Sequence, residues 1–158
     1  MKIDISDYKP YDTMNSPKLW EKVEHFNAFE DWGDPYKMWV ILIYHLDSFR
    51  EYLKKPLIVH CGWEMRDSGW HPAGAAVDLH CPSLSYKDLA FKAMQFTFTG
   101  IGLYPCWNNP GVHLDVRPLA DNDKKRKLWY RHEWMDGNIL KKQYYNIEDL
   151  STLAILPD

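Results

Sequence analysis

Two histidines and an aspartate offer the most chemistry in this chain: His71 and Asp78 within HPAGAAVD, and His113 within GVHLDVR. The second stretch alternates strictly. Val112, Leu114 and Val116 fall on one face of a strand, and His113, Asp115 and Arg117 on the other. The apolar face suits a half-buried strand. An imidazole, a carboxylate and a guanidinium in line are not the usual content of a solvent face. In the first stretch Gly74, Ala75 and Ala76 keep the chain thin between His71 and Asp78, so that neighbouring segments can approach closely. A histidine on a loop, a carboxylate on the next strand and a histidine on a distant strand make a two-histidine, one-carboxylate set. Three protein ligands with a fourth position open to water is the arrangement of a catalytic zinc. Zinc so held lowers the pKa of its water to about 7 and polarises a carbonyl, which suits amide hydrolysis. The same trio would also serve as hydrogen-bonded core side chains, and spacing alone does not choose.

The residues that must position this set fall into short, well-punctuated elements. DPYKMWVILIYHLDSFREYLKKP predicts a helix, with Trp39, Leu42, Ile43, Leu46, Phe49 and Leu53 at spacings of three and four. It should stop before Pro56, with Lys54 and Lys55 in a last turn where cations suit the dipole. NSPKLWEKVEHF predicts an earlier helix with Ser16 as N-cap and Pro17 at the first position. LIVHCGW and AAVDLHC read as short strands, the second with Asp78 and His80 on one face and Val77 and Leu79 on the other. SLSYKDLAFKAMQF predicts an amphipathic helix capped by Ser85, with Leu89, Ala90, Ala93 and Phe96 inward. GIGLYP and GVHLDVR should pair across CWNNP. KLWYRHEWMDGNILKKQYY should form a hairpin turning at Asp136-Gly137, and the last dozen residues a loose tail or edge strand. Helices and antiparallel strands in this order predict an α+β fold, a single domain over residues 1–158.

Composition sets limits. A net charge of −3 gives no global attraction to nucleic acid, and KKRK at 124–127 reads as a solvated turn. No stretch reaches the roughly 18–20 apolar residues of a membrane span, so no membrane insertion is expected. The start, MKIDISDYKPYD, has no apolar run behind a basic start, so synthesis in the cytoplasm without a signal peptide is expected. Cys61, Cys81 and Cys106 are odd in number with no CxxC, and fit reduced thiols. Eight Trp and ten Tyr suggest aromatic surface around a groove as well as a core.

HPAGAAVD matches the HxxGxAxD motif of the M15 metallopeptidases, zinc D-Ala-D-Ala carboxypeptidases and related endopeptidases. GIGLYP…GVHLDVRP resembles the later G(I/V)GxY…(V/I)HxDxR stretch of their phage and bacterial branch. HFNAFE is similar to that branch's Phe-x-x-x-Glu-type opening, and LDSFREYLKKPLIVHCGWEMR to its helix–strand segment. The resemblance runs in order over roughly residues 25 to 118, leaving 119–158 as a C-terminal hairpin and tail. It implies an antiparallel sheet flanked by helices, shared with the hedgehog N-terminal domain. It also implies Zn²⁺ on His71, Asp78 and His113, a peptidoglycan stem or cross-bridge peptide as substrate, and a monomer. Lack of a leader would suit a phage-associated protein or one released to act on the cell wall.

The chain departs from the family at several positions. Ser-Gly-Tyr-Arg becomes Cys61-Gly62-Trp63-Glu64, and Arg66 would stand in for the missing substrate-handling arginine. Gly69 replaces the usual serine two residues before His71. Relatives carry Glu, Asp or His two or three residues before the last zinc ligand, where this chain has Gly111 and Pro110. Asp115 is then a candidate for the general base or for the partner that orients a histidine ligand, with Glu64 and Glu133 in reserve. His60 and His80 could donate to an oxyanion or be ordinary satisfied histidines. Arg117 would meet a substrate carboxylate or pair with Asp115, and Trp70 and Tyr104 would wall the cleft or join the core. The rival to a peptidase is a zinc module that has kept the metal and lost the base, for cell-wall binding or a structural role in a phage. A metal-free structural domain is the third reading.

Overall fold

The computed structural model describes residues 2–148 and residue 156. Most of the segment expected as a tail therefore lies outside the described residues. The described chain is α+β. In order come α1 (Pro17–Trp20), α2 (Val40–Leu53), β1 (Ile58–Cys61), β2 (Ala76–His80), α3 (Tyr86–Ala93), β3 (Gly100–Tyr104), β4 (Gly111–Asp115), β5 (Lys127–Asp136) and β6 (Ile139–Asn146). The strands form one sheet in the order β1-β2-β4-β3-β5-β6.

The helices follow the apolar spacing, α1 and α3 starting at a serine cap and α2 without a side-chain cap. α2 buries Leu42, Ile43, Leu46, Phe49 and Leu53 as the three/four spacing requires. It starts later than the sequence suggests, because Asp34 caps a 3-10 turn at Pro35–Lys37 and Trp39 stays extended as N-cap. Its end is also different. Lys54 takes the left-handed conformation that closes the helix (φ 51°), so Arg50 is the cation in the last turn. α1 keeps its Ser16 cap and Pro17, but lasts one turn. The Asp47 carboxylate accepts from the backbone of Glu24 and His25 at 3.3 and 2.8 Å, which holds the following segment off a helical path. Ser85 caps α3 by accepting from Asp88 N at 3.1 Å.

The sheet is mixed, not wholly antiparallel. β1–β2, β2–β4, β3–β4 and β5–β6 are antiparallel, but β5 runs parallel to β3. The geometry explains it. Asp115 at the end of β4 and Lys127 at the start of β5 both pair with Gly100, so residues 116–126 only step over one end of β3. The β5–β6 hairpin turns on Gly137-Asn138, one residue later than expected. Asp136 pairs with Ile139, and Gly137 takes φ 61° at the first central position.

One sheet face is apolar. Val59, Val77, Leu79, Ile101, Leu103, Val112 and Leu114 are buried in one cluster with the inward residues of α2 and with Leu89, Ala90 and Ala93 of α3. Burial of this kind contributes about 1.5–3 kcal/mol per large aliphatic side chain. The helices thus cover one face, and the other is left for polar side chains.

Candidate metal centre

The polar face is set by register. Residues opposite one another on paired strands share a face, and Asp78 pairs with His113, His113 with Gly102, and Gly102 with Trp129. A carboxylate, an imidazole, a gap and an indole therefore stand in one row across four strands. The glycine is required, since a Cβ at Gly102 would collide with the Trp129 ring, as one at Gly100 would with the Asp115 carboxylate. His71 reaches the row from the loop between β1 and β2. Its carbonyl accepts from Gly74 N at 3.0 Å, and Gly74 O accepts from Trp39 N at 2.8 Å, tying the turn to the start of α2. Gly74 has φ 79°, and a side chain there would meet the Lys37 carbonyl. The glycine of HPAG is thus needed twice, for conformation and for space.

Three atoms converge. His71 Nε2 lies 3.2 Å from His113 Nδ1 and 3.2 Å from Asp78 Oδ1, and His113 Nδ1 lies 2.9 Å from Asp78 Oδ1. The far side of each ring is pinned. His71 Nδ1 donates to the Gly62 carbonyl at 2.6 Å, and His113 Nε2 to Asp115 Oδ2 at 2.9 Å. With those protons placed, neutral rings leave two lone pairs and a carboxylate oxygen facing one another, so a cation must sit among them. Metal-bound histidines are usually anchored this way through their second nitrogen. Zinc bonds of roughly 2.0–2.2 Å would set tetrahedral edges of about 3.3–3.6 Å, a few tenths wider than the triangle seen. All three residues are buried. Burial disfavours the Asp78 carboxylate, but without a metal the protonated rings of His113 and His71 donate to it, outweigh burial and hold the group well below the usual carboxylate range. Burial likewise pushes His71 down, while Asp78 and Cys61 raise it further, to about 9.

Cys61 joins the cluster without having been singled out. An irregularity between Val59 and Cys61 brings Cys61 opposite Asp78, and Cys61, His71 and Asp78 form a group that could hold a metal ion. His71 and Asp78 are common to both sets. The thiol lies 3.7 Å from His71 Nδ1, the nitrogen already given to Gly62, and 3.6 Å from Arg66 Nη2. The set with His113 uses the free ring nitrogens, whereas the thiol approaches His71 on the side that Gly62 already holds. A bulge leaves no mark in hydrophobic alternation, which is why sequence reasoning passed over Cys61.

Asp115 is fully buried between His113 and Arg117, whose Nε donates to Oδ1 at 2.8 Å. Burial would raise its pKa, but Arg117 and His113 keep it at about 2. Its carboxylate faces the far nitrogen of His113, away from the converging atoms. Glu64 is exposed and paired with Arg66, whose Nη2 lies 3.9 Å from Asp78 Oδ2. Glu133 pairs with Arg131 on β5. Trp70 packs edge-on against Trp39 at 6.5 Å. Tyr104 is buried, accepts from Trp129 Nε1 at 3.0 Å and stacks on Trp107 at 4.3 Å. Burial pushes its phenol up to about 12. His60 and His80 face each other beside Asp78, and His60, Asp78, Trp107, Asn108 and Asn109 line a cavity of about 310 Å³. A larger cavity of about 810 Å³ touches the site through Arg117 and Trp129, but its Arg117 and Lys127 are already paired with Asp115 and Asp123. No helix among the described residues is long and apolar enough to cross a membrane.

A scan against protein-family models finds no match, and a search of curated proteins finds none either.

Proposed function

We propose that the chain is a zinc-dependent peptidase of the M15 type, acting on peptidoglycan stem or cross-bridge peptides. The observation that carries this reading is the convergence of His71 Nε2, Asp78 Oδ1 and His113 Nδ1, each ring pinned from behind. The antiparallel run β1-β2-β4-β3, with ligands on one face and helices on the other, is what a hedgehog-like peptidase fold would require. Zinc on these three residues would supply a Lewis acid for an amide carbonyl and a source of nucleophile at neutral pH.

The chain's own groups then divide the remaining work. Asp115 holds the His113 ring and fixes its tautomer, because its carboxylate is spent on the far nitrogen and on Arg117. Arg117 is thereby committed to Asp115 and not to substrate. Glu64 is the carboxylate left to take a proton: it is exposed, and its partner Arg66 bridges towards Asp78. Arg66, half-exposed where Arg117 is mostly buried, is the cation that would exchange its Glu64 partner for a substrate carboxylate. The cavity lined by Trp107, Asn108 and Asn109 offers an aromatic wall and amide groups to a peptide backbone.

One observation favours the rival, a zinc module without turnover. Among the described residues Asp115, Glu64 and Glu133 each sit in an ion pair, and Pro110 and Gly111 precede His113. Digestion of purified peptidoglycan, with release of stem peptide or D-alanine followed with and without chelator, separates the two. The peptidase reading predicts chelator-sensitive release, and a loss of about 10²–10⁴-fold in Glu64→Gln with zinc content unchanged. Full zinc occupancy with no release would leave the binding module.

A further inference from the structure

A second pair of histidines stands beside the three-residue centre. β1 is irregular between Val59 and Cys61, and such bulges re-aim side chains next to functional sites. His60, at the irregularity, meets His80 of β2. Their rings lie nearly parallel (22°) with centroids 4.7 Å apart, and His60 Nε2 is 2.5 Å from His80 Nδ1. Among the described residues each ring has the other as its hydrogen-bond partner, with no carbonyl or carboxylate behind it. Two ring nitrogens this close are bridged either by the N–H of one ring donating to the other or by a metal ion that both ligate. Unlike the buried centre, this pair is open: His60 is exposed and His80 half-buried, and His60 borders the cavity that Asp78 also lines.

We propose that His60 and His80 form a second divalent-cation site, bound through His60 Nε2 and His80 Nδ1 with water completing the shell. Two imidazoles select borderline metals such as Zn²⁺, Ni²⁺ and Cu²⁺ over Mg²⁺ and Ca²⁺. The nitrogens must part to about 3.3 Å around bonds of roughly 2.0–2.1 Å, a small rotation for an exposed ring. The site has two protein ligands, where the buried centre has three, and neither ring is anchored from behind. It binds on the order of a hundredfold more weakly, in line with the effect of losing such anchoring partners. An ion there stands at the mouth of the cavity beside Asp78, so the two sites share one entrance.

Calorimetric titration of the metal-free full chain with zinc tests this. Wild type is expected to take up two ions per chain in two steps. His60→Ala and His80→Ala are each expected to lose the weak step and keep the tight one. His113→Ala is expected to lose the tight step and keep the weak one, so failure of the buried centre and failure of this site read differently. A measurement on the unmodified protein stands beside the variants. Nickel(II) added after one equivalent of zinc should broaden the imidazole NMR signals of His60 and His80 before those of His25, His45 or His132. One ion per chain at excess zinc, a weak step that survives in His60→Ala, or broadening that begins at another histidine would each overturn the proposal. The first of these would leave the pair sharing a proton.

Discussion

Asp115 shows how much one side chain can decide without touching a ligand position. It spends both oxygens, one on His113 Nε2 and Arg117, the other on Arg117 side chain and backbone. In the neutral ring so held, Nδ1 carries the lone pair. Asp115→Asn removes the charge that holds this tautomer, and its amide can present a donor to His113 Nε2 instead. Metal affinity is expected to fall about 10–100-fold with the fold retained, as for other partners behind a metal-bound histidine. Competition with a chromophoric zinc chelator reads this out, and an unchanged affinity would detach Asp115 from the centre. The alternation of GVHLDVR already placed His113 and Asp115 on one face, and so carried the pairing. It did not carry the direction of the ring, which depends on what lies behind His71 and His113.

Strands and turns supply the room these side chains need. The polar face is built over Gly100 and Gly102, each opposite a bulky group, Asp115 and Trp129 respectively. Gly100→Ala adds a methyl where the Asp115 carboxylate lies. It is expected to cost about 1–3 kcal/mol in denaturant unfolding, and to weaken zinc binding although no ligand is changed. Retention of wild-type stability and affinity would show that Asp115 can move at no cost. Much at this scale was legible. β2, β3, β4 and α3 lie close to where alternation, helical spacing and the Ser85 cap put them. What escaped depended on long-range contacts: the Asp47 carboxylate that holds the segment after α1, the bulge beside His60, and the parallel seating of β5 on β3. The last also hid Trp129, whose place over Gly102 follows from that pairing.

Across the whole molecule the helices and apolar sheet face hold the fold, while the opposite face accumulates acceptors that need a cation. Without metal, a proton takes that role. His71 is raised from 6.5 to about 9 in the folded chain, as burial is outweighed by Asp78 and Cys61. A group raised on folding stabilises fully below its unfolded pKa and loses that contribution as pH climbs through the folded one. Urea unfolding of the metal-free protein should therefore show stability falling between pH 6.5 and about 9. Zinc-loaded protein should hold steady over this range, because the metal replaces the proton. A flat profile without metal would mean that His71 is neutral there. X-ray absorption at the zinc edge, on protein loaded with one equivalent, reads the ligand set itself. Nitrogen and oxygen neighbours at about 2.0–2.2 Å are expected, with the scattering pattern of two imidazoles. A sulfur neighbour at about 2.3 Å together with the scattering of a single imidazole would put Cys61 in place of His113 and contradict it.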